Sequence, residues 1–238
     1  MAIRKGAFVS AFVCWPEIKR CLATVEDLFD ITQVLYGPYT GYNGKEVPRE
    51  GHIVEQFCKS LEGNVEFKYA HVMSEVEKRS KAVEFAIRNK LDFLLIIDSD
   101  EFIDRKRLRK PEEFDKEIAW YTQSPYQNYN LIGVDVEQNI DSWEARPRLW
   151  YKPKFIYYNN THYYLKTSNP KCPYNLEKSA KEYKTHPPQY VFKSLRIKGD
   201  PSLRRPEISA VHEHYLGLLR GSDQVGETLP NLHYILNE

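Results

Sequence analysis

Along the first hundred residues, apolar positions alternate between short unbroken runs and helical stripes, the pattern of repeated strand–helix units. Gly6 to Val13 is small, apolar and partly β-branched, and reads as a first strand. Pro16 suits the first turn of a helix, and Ile18, Cys21, Leu22, Val25, Leu28 and Phe29 then recur at helical spacing. Ile31 to Tyr36 reads as a second strand, and Ile53, Val54, Phe57 and Leu61 mark a second helix closing at Gly63. Val65 to Ala70 alternates apolar with charged residues, as a half-buried strand does. Ser74 and Glu77 form a capping-box pattern for a third helix running to about Asn89. Its inward stripe is predicted as Val76, Val83, Ala86 and Ile87, with Arg79 on the same face. Phe93 to Ile97 is a short apolar run bounded by polar residues, the pattern of a central strand buried on both faces.

The pattern loosens after residue 105. Pro111 opens a helix containing Phe114, Ile118, Ala119 and Tyr121, and Leu131 to Val136 reads as a strand. Arg146 to Tyr151 and Phe155 to Tyr158 read as two strands joined around Lys152-Pro153-Lys154. From Lys166 to Pro206, prolines, lysines and tyrosines dominate, and long loops with no core of their own are expected. Ile208 to Val211 is a short apolar segment ending in His212-Glu213-His214, and Leu218 to Glu238 reads as a closing helix or extended segment.

Composition narrows the classes. A chain of 238 residues suffices for one substantial α/β domain. A net charge of +1 predicts neither a general nucleic-acid binder nor a membrane-surface protein, so nucleic acid is not the expected partner, although it stays open as an acceptor. No apolar run reaches the roughly 18 residues that span a bilayer. Cys14, Cys21, Cys58 and Cys172 show no metal-binding spacing, so free thiols in a reducing cytoplasm are expected, with the N-terminus a strand and not a signal peptide.

The chemistry concentrates where the fourth strand ends, in Asp98-Ser99-Asp100-Glu101. Ligands of open α/β sheets bind beyond the carboxyl ends of the strands. Three acids there repel one another unless a cation joins them, and an Asp-x-Asp pair can place two oxygens on one Mg²⁺ or Mn²⁺. Arg79, early in its helix and on the apolar face, needs an anionic partner, and a diphosphate suits it. A solvated acidic loop is the bland alternative for the motif.

A βαβαβαβ order ending in this acidic pair resembles the nucleotide-sugar glycosyltransferases of the GT-A fold, the group that includes the family-2 enzymes. Leu94 to Glu101 is similar to that family's Asp-x-Asp motif, and Lys78-Arg79-Ser80 to its Arg-Asn helix start. Arg146 to Trp150 and Thr161-His162 are similar to a later strand pair, with Tyr163 where the related enzymes often have an acid. The resemblance implies an α/β GT-A fold, Rossmann-like, with a mostly parallel central sheet flanked by helices and a loop-rich C-terminal acceptor region. One domain over residues 1–238 is expected, with a nucleotide-binding half (1–105) and an acceptor-side half with a lid (106–238).

It further implies a nucleoside-diphosphate sugar, UDP-sugar favoured, as donor and Mn²⁺ or Mg²⁺ as cofactor. Asp100 would bind the metal directly, Asp98 would sit nearer the ribose or a metal-bound water, and His214 (or His212, or His162) would complete the metal site. Ala11, Phe12, Val13, Pro38 and Tyr39 would hold the nucleobase. Arg79 and Ser99 would also line the donor site, and Arg220 offers a phosphate contact. An inverting enzyme also needs a base. Asp135, Glu137, Asp141 and Glu144 form the pool, with Asp135 and Glu137 nearest the predicted strand end. Two alternatives stand beside this reading. One is a haloacid-dehalogenase-like phosphatase with Asp98 as nucleophile. The other is a non-catalytic carbohydrate- or nucleic-acid-binding module using the aromatics of Trp150 to Tyr164. The acceptor and the oligomeric state are beyond the sequence.

Overall fold

The computed structural model describes residues 2–11, 15–37, 51–71, 73, 75–108, 110–139, 142–158, 165–172 and 190–199. The first half runs β1 (Lys5–Ala11), α1 (Trp15–Val25), β2 (Ile31–Tyr36), α2 (Gly51–Ser60), β3 (Val65–Tyr69), α3 (Glu75–Arg88) and β4 (Phe93–Asp98). These strands stand in the order β3-β2-β1-β4, all parallel. That is the strand order of one half of a doubly wound, Rossmann-like sheet. The order reverses between β1 and β4, because the chain steps outward through β2 and β3 and then crosses back.

Helices cover both faces, and each strand divides its side chains accordingly. On one face Ala7, Val9 and Ala11 of β1 and Phe93, Leu95 and Ile97 of β4 pack with α1 and α2 residues Ile18, Cys21, Leu22, Val25 and Val54. On the other, Phe8, Leu94 and Ile96 meet Ala82, Phe85 and Ala86 of α3. The period-2 alternation of a strand therefore decides which residues reach α3. The expected inward stripe of α3 needs correction at Ile87, which is 55% exposed. Among its described side chains, Lys78, Arg79, Ala82, Phe85 and Ala86 are the buried ones.

The second half comprises β5 (Glu101–Ile103), α4 (Pro111–Gln123), β6 (Leu131–Asn139), β7 (Ser142–Tyr151), β8 (Ile156–Tyr158), β9 (Leu165–Thr167) and β10 (Val191–Gly199). It extends the sheet as β4-β7-β6-β10-β5. β7 is antiparallel to both β4 and β6, β10 is parallel to β6, and β5 is antiparallel to β10. β5 thus stands four places from β4, roughly 19 Å in a flat sheet at about 4.8 Å per strand. Only Ser99 and Asp100 separate the two strands in the chain, and three Cα steps reach at most about 11 Å. The sheet has to curl, and the acidic motif sits at the mouth of the curl.

The two strands expected around Lys152-Pro153-Lys154 are β7 and β8, joined by a 3-10 turn over Pro153–Phe155, and β8 pairs with β9 in a separate two-stranded sheet. The stretch from Lys166 to Pro206, expected as long loops, contributes the nine-residue strand β10 to the main sheet, and its Phe192, Leu195 and Ile197 are fully buried in the main cluster. β10 is irregular between Phe192 and Arg196. There the N–H groups of Lys193 and Ser194 donate to Glu117 of α4 at 2.7 and 2.8 Å, so the carboxylate replaces the ladder bonds a bulge forfeits. Among the described residues no helix is long and apolar enough to cross a membrane.

Candidate active site

The carboxyl ends of β1 and β4 meet where the strand order reverses, the place at which open α/β sheets bind ligands. Ser10 and Asp98 are register partners there. Both continue the α3-facing series of their strands, after Phe8 and after Leu94 and Ile96, as Arg148 of β7 does after Trp150. The apolar layer under α3 therefore ends in a polar cap of Ser10, Asp98 and Arg148, and the start of α3 adds Lys78 and Arg79.

Asp98 lies between two guanidiniums. Arg79 Nη2 stands 3.3 and 3.4 Å from its two carboxylate oxygens, and Arg148 Nη1 3.4 Å from Oδ2. Both arginine side chains are buried, at 5% and 3% exposure, against 23% for Asp98. Burial pushes the Asp98 carboxyl up, but Arg79 and Arg148 outweigh it and hold the group well below the usual carboxylate range.

Arg148 also donates from Nη2 to Glu101 Oε1 at 2.5 Å, and Glu101 Oε2 accepts the backbone N–H of Asp98 at 3.0 Å. Burial pushes Glu101 up to about 7; Arg148 opposes the rise, and Asp98 and Asp100 add to it. The parallel ladder runs one residue beyond β4, since Ser99 N–H donates to Ser10 O at 3.1 Å. Asp100 is half-buried in the two-residue link to β5. Beneath the acids, the Cys21 thiol of α1 is held protonated by burial and by the charges of Glu101, Asp100 and Asp98. Such a thiol is a packing group and not a nucleophile.

Lys78 is wholly buried. Its Nζ donates to the main-chain oxygens of Ala11 at 2.8 Å and Gly37 at 2.6 Å, the last residue of β1 and the first after β2. Gly37 N–H also donates to Ala11 O, at 3.0 Å. Residue 37 must be glycine, because a Cβ would stand 2.4 Å from Ala70 O. Lys78 thus joins the two strand ends that open the ligand side of the sheet. Burial pulls its pKa down to about 7; the charge of Asp98 counters this and that of Arg79 reinforces it.

The structure brings Ala11, Arg79, Asp98, Ser99 and Asp100 together at these strand ends. Asp135 and Glu137 lie within β6, which continues to Asn139, and not past a strand end. Asp135 Oδ2 belongs to a second ionic cluster, 3.8 Å from Arg107 Nη1 and 3.6 Å from Arg196 Nη2, with Arg196 stacked 3.8 Å over Trp143. Glu137 is register partner to Trp143. Phe12, Val13, Pro38, Tyr39, Asp141, His162, His212, His214 and Arg220 lie outside the described residues. Lys78 and Arg148 are the site residues that sequence reasoning missed. The signal for Arg148 was its alternation with Trp150; for Lys78 it was only adjacency to Arg79.

Among the described residues, no group of three or more His, Cys, Asp and Glu side chains is arranged to hold a metal ion. The Asp98–Asp100 pair still offers the hard oxygen donors that Mg²⁺ and Mn²⁺ prefer, and these ions take their remaining ligands from phosphate, water or a further side chain.

No family model matches the chain, and neither does any curated protein. Among solved structures, it is similar to TarS 1-349 of S. aureus, with 15% identity over 66% of this chain and 50% of that one, at a TM-score of 0.43. TarS 1-349 is also known in complex with UDP and with UDP-GlcNAc. The chain spans between 22% and 50% of the TarS chains it matches. It is similar too to 4-diphosphocytidyl-2C-methyl-D-erythritol synthase of Anaerococcus prevotii DSM 20548, with 12% identity over 91% of this chain and 97% of that one, at a TM-score of 0.48. These are weak likenesses, and the functional reading stands on the site's own residues.

Proposed function

We propose that the chain is a glycosyltransferase that moves a sugar from a nucleoside diphosphate, UDP favoured, to an acceptor hydroxyl with the help of Mn²⁺ or Mg²⁺. One observation carries this: Asp98 and Asp100 stand at the switch point of a Rossmann-like half-sheet, with the buried guanidiniums of Arg79 and Arg148 against Asp98. Acids alone would suit a bare cation, and bases alone a bare anion. Both together suit a cation carried on a diphosphate.

Asp100 is the carboxylate offered directly to the ion. Asp98, paired with Arg79 and Arg148, would sit nearer the ribose or a metal-bound water, and His214 is the further ligand proposed from the sequence. When bound, the ion supplies Lewis-acid stabilisation of the departing diphosphate. Arg79 adds positive charge on the same side, where negative charge grows as the glycosidic bond breaks. β1 and β2, tied at their ends by Lys78, are followed in the chain by the segments proposed to hold the nucleobase, Phe12-Val13 and Pro38-Tyr39. For an inverting reaction, Asp135 or Glu137 would take the acceptor proton. In the phosphatase alternative Asp98 would be the nucleophile, yet its carboxylate is engaged by two guanidiniums.

Incubation with UDP-sugars and Mn²⁺ tests the reading. UDP should appear, slowly by hydrolysis without acceptor, and its release should stop in EDTA. Release of inorganic phosphate from a phosphomonoester, with no UDP from any donor, would favour the phosphatase instead.

A further inference from the structure

Asp98 and Glu101 bracket Ser99 and Asp100, and one side chain from another strand holds both brackets. Arg148 reaches from β7 with Nη1 on Asp98 Oδ2 (3.4 Å) and Nη2 on Glu101 Oε1 (2.5 Å). Glu101 closes the loop by accepting Asp98 N–H (3.0 Å), and Ser99 N–H is fixed to Ser10 O (3.1 Å). A planar guanidinium donates two bonds in a fixed fork, so it constrains the direction of both carboxylates and not merely their charge. Arg148 is 2% exposed, so packing fixes the fork in turn. The sheet order gives the clamp its purpose. β4 and β5 are joined by two residues yet paired to different strands, so the link between them is where the curl has to be held.

We propose that Arg148 is the positioning residue of the donor site, clamping the Asp98–Glu101 turn so that Asp100 is presented to the cation. This rests on the transferase reading for the role of the cation, but the clamp itself does not. Groups that orient metal ligands without touching the metal typically change its affinity by about 10- to 100-fold when removed.

The test uses the full chain with Arg148→Met and Arg148→Lys, and two measurements. Amide hydrogen exchange, with no ligand present, should show residues 98–103 exchanging faster in Arg148→Met while β1 and β2 keep their protection. Mn²⁺ alone, titrated by electron paramagnetic resonance, should bind about tenfold more weakly to Arg148→Met. Arg148→Lys, which keeps the charge and loses the fork, should fall between it and wild type. The protection of β1 and β2 is the control, because a general structural lesion would lower it together with that of residues 98–103. Unchanged exchange at 98–103, or equal Mn²⁺ affinity in wild type and Arg148→Met, would overturn the clamp. If Arg148→Met does not fold, Arg148→Lys decides by the same readouts. A wild-type chain that binds no nucleoside diphosphate would sink the transferase reading instead, with hydrogen exchange still deciding the clamp.

Discussion

Asp100→Ala is expected to lower sugar transfer by at least about 100-fold, with Mn²⁺-dependent nucleotide binding lost and the melting temperature nearly unchanged. The two halves of that expectation have different sources. The loss follows from position: Asp100 lies in the link between β4 and β5 at the sheet's switch point, where a cation on a diphosphate would meet a carboxylate. The preserved fold follows from what the substitution leaves in place. Asp98 keeps Arg79 and Arg148, Glu101 keeps Arg148, and the apolar residues Phe93 to Ile97 are untouched. Activity, nucleotide binding and a thermal melt on one preparation check both halves. An unfolded variant, or one that binds donor as wild type does, would show that Asp100 has been given the wrong role.

A second large effect concerns stability and pH. Lys78 has an ordinary pKa of 10.5 and a folded-state value of about 7, lowered by burial. Below about pH 7 it is charged in both folded and unfolded chains. Between there and 10.5 the folded chain has released a proton that the unfolded chain still holds. The unfolded state therefore binds more protons, and stability rises with pH across that window. One pH unit is worth at most about 1.4 kcal/mol, so going from pH 7 to 9 should contribute about 2 kcal/mol. The neutral amine retains two N–H groups, so the bonds to Ala11 O and Gly37 O survive deprotonation.

Lys78→Met removes this increment, since methionine does not titrate. Urea unfolding of both proteins at pH 6.5, 7.5 and 9 isolates it, because other titrating groups largely cancel in the difference. The difference should move in favour of wild type by about 2 kcal/mol as pH rises. Parallel stability profiles would mean that Lys78 titrates normally and is more hydrated than its burial suggests.

These two residues also mark how far the sequence could be read. The Asp100 motif was legible because an apolar strand, Phe93 to Ile97, delivers it, and a run that short and uniform has few other solutions. β2 was read to the residue, Ile31 to Tyr36, for the same reason. Arg79 was found from helical spacing alone. Lys78 was not, because two adjacent cations on a helix cannot ordinarily both face inward. Here they do, since Lys78 meets main-chain oxygens at two strand ends and Arg79 meets Asp98. Neither partner is close in sequence.

Arg148 was hidden by its neighbour Arg146. Alternation places the two on the same side of β7, yet Arg148 is buried and Arg146 pairs with Glu144. The register shift between β6 and β7 falls beside them, and spacing does not reveal it. β10 was missed for a related reason. The irregularity between Phe192 and Arg196 breaks the period-2 pattern, and Lys193, Arg196 and Lys198 make the segment look like surface. Its inclusion in the core depends on parallel pairing with β6, whose paired residues lie 58 to 61 positions earlier in the chain.

The most direct measurement of the donor site is a thermal-shift comparison of UDP, GDP, CDP and TDP, each with Mn²⁺ and with EDTA. A ligand that binds only the folded state raises apparent stability by mass action. The account predicts stabilisation by one nucleotide, UDP favoured, that is present with Mn²⁺ and lost in EDTA. No shift with any of the four would contradict it, and the acids at the end of β4 would then serve some other chemistry.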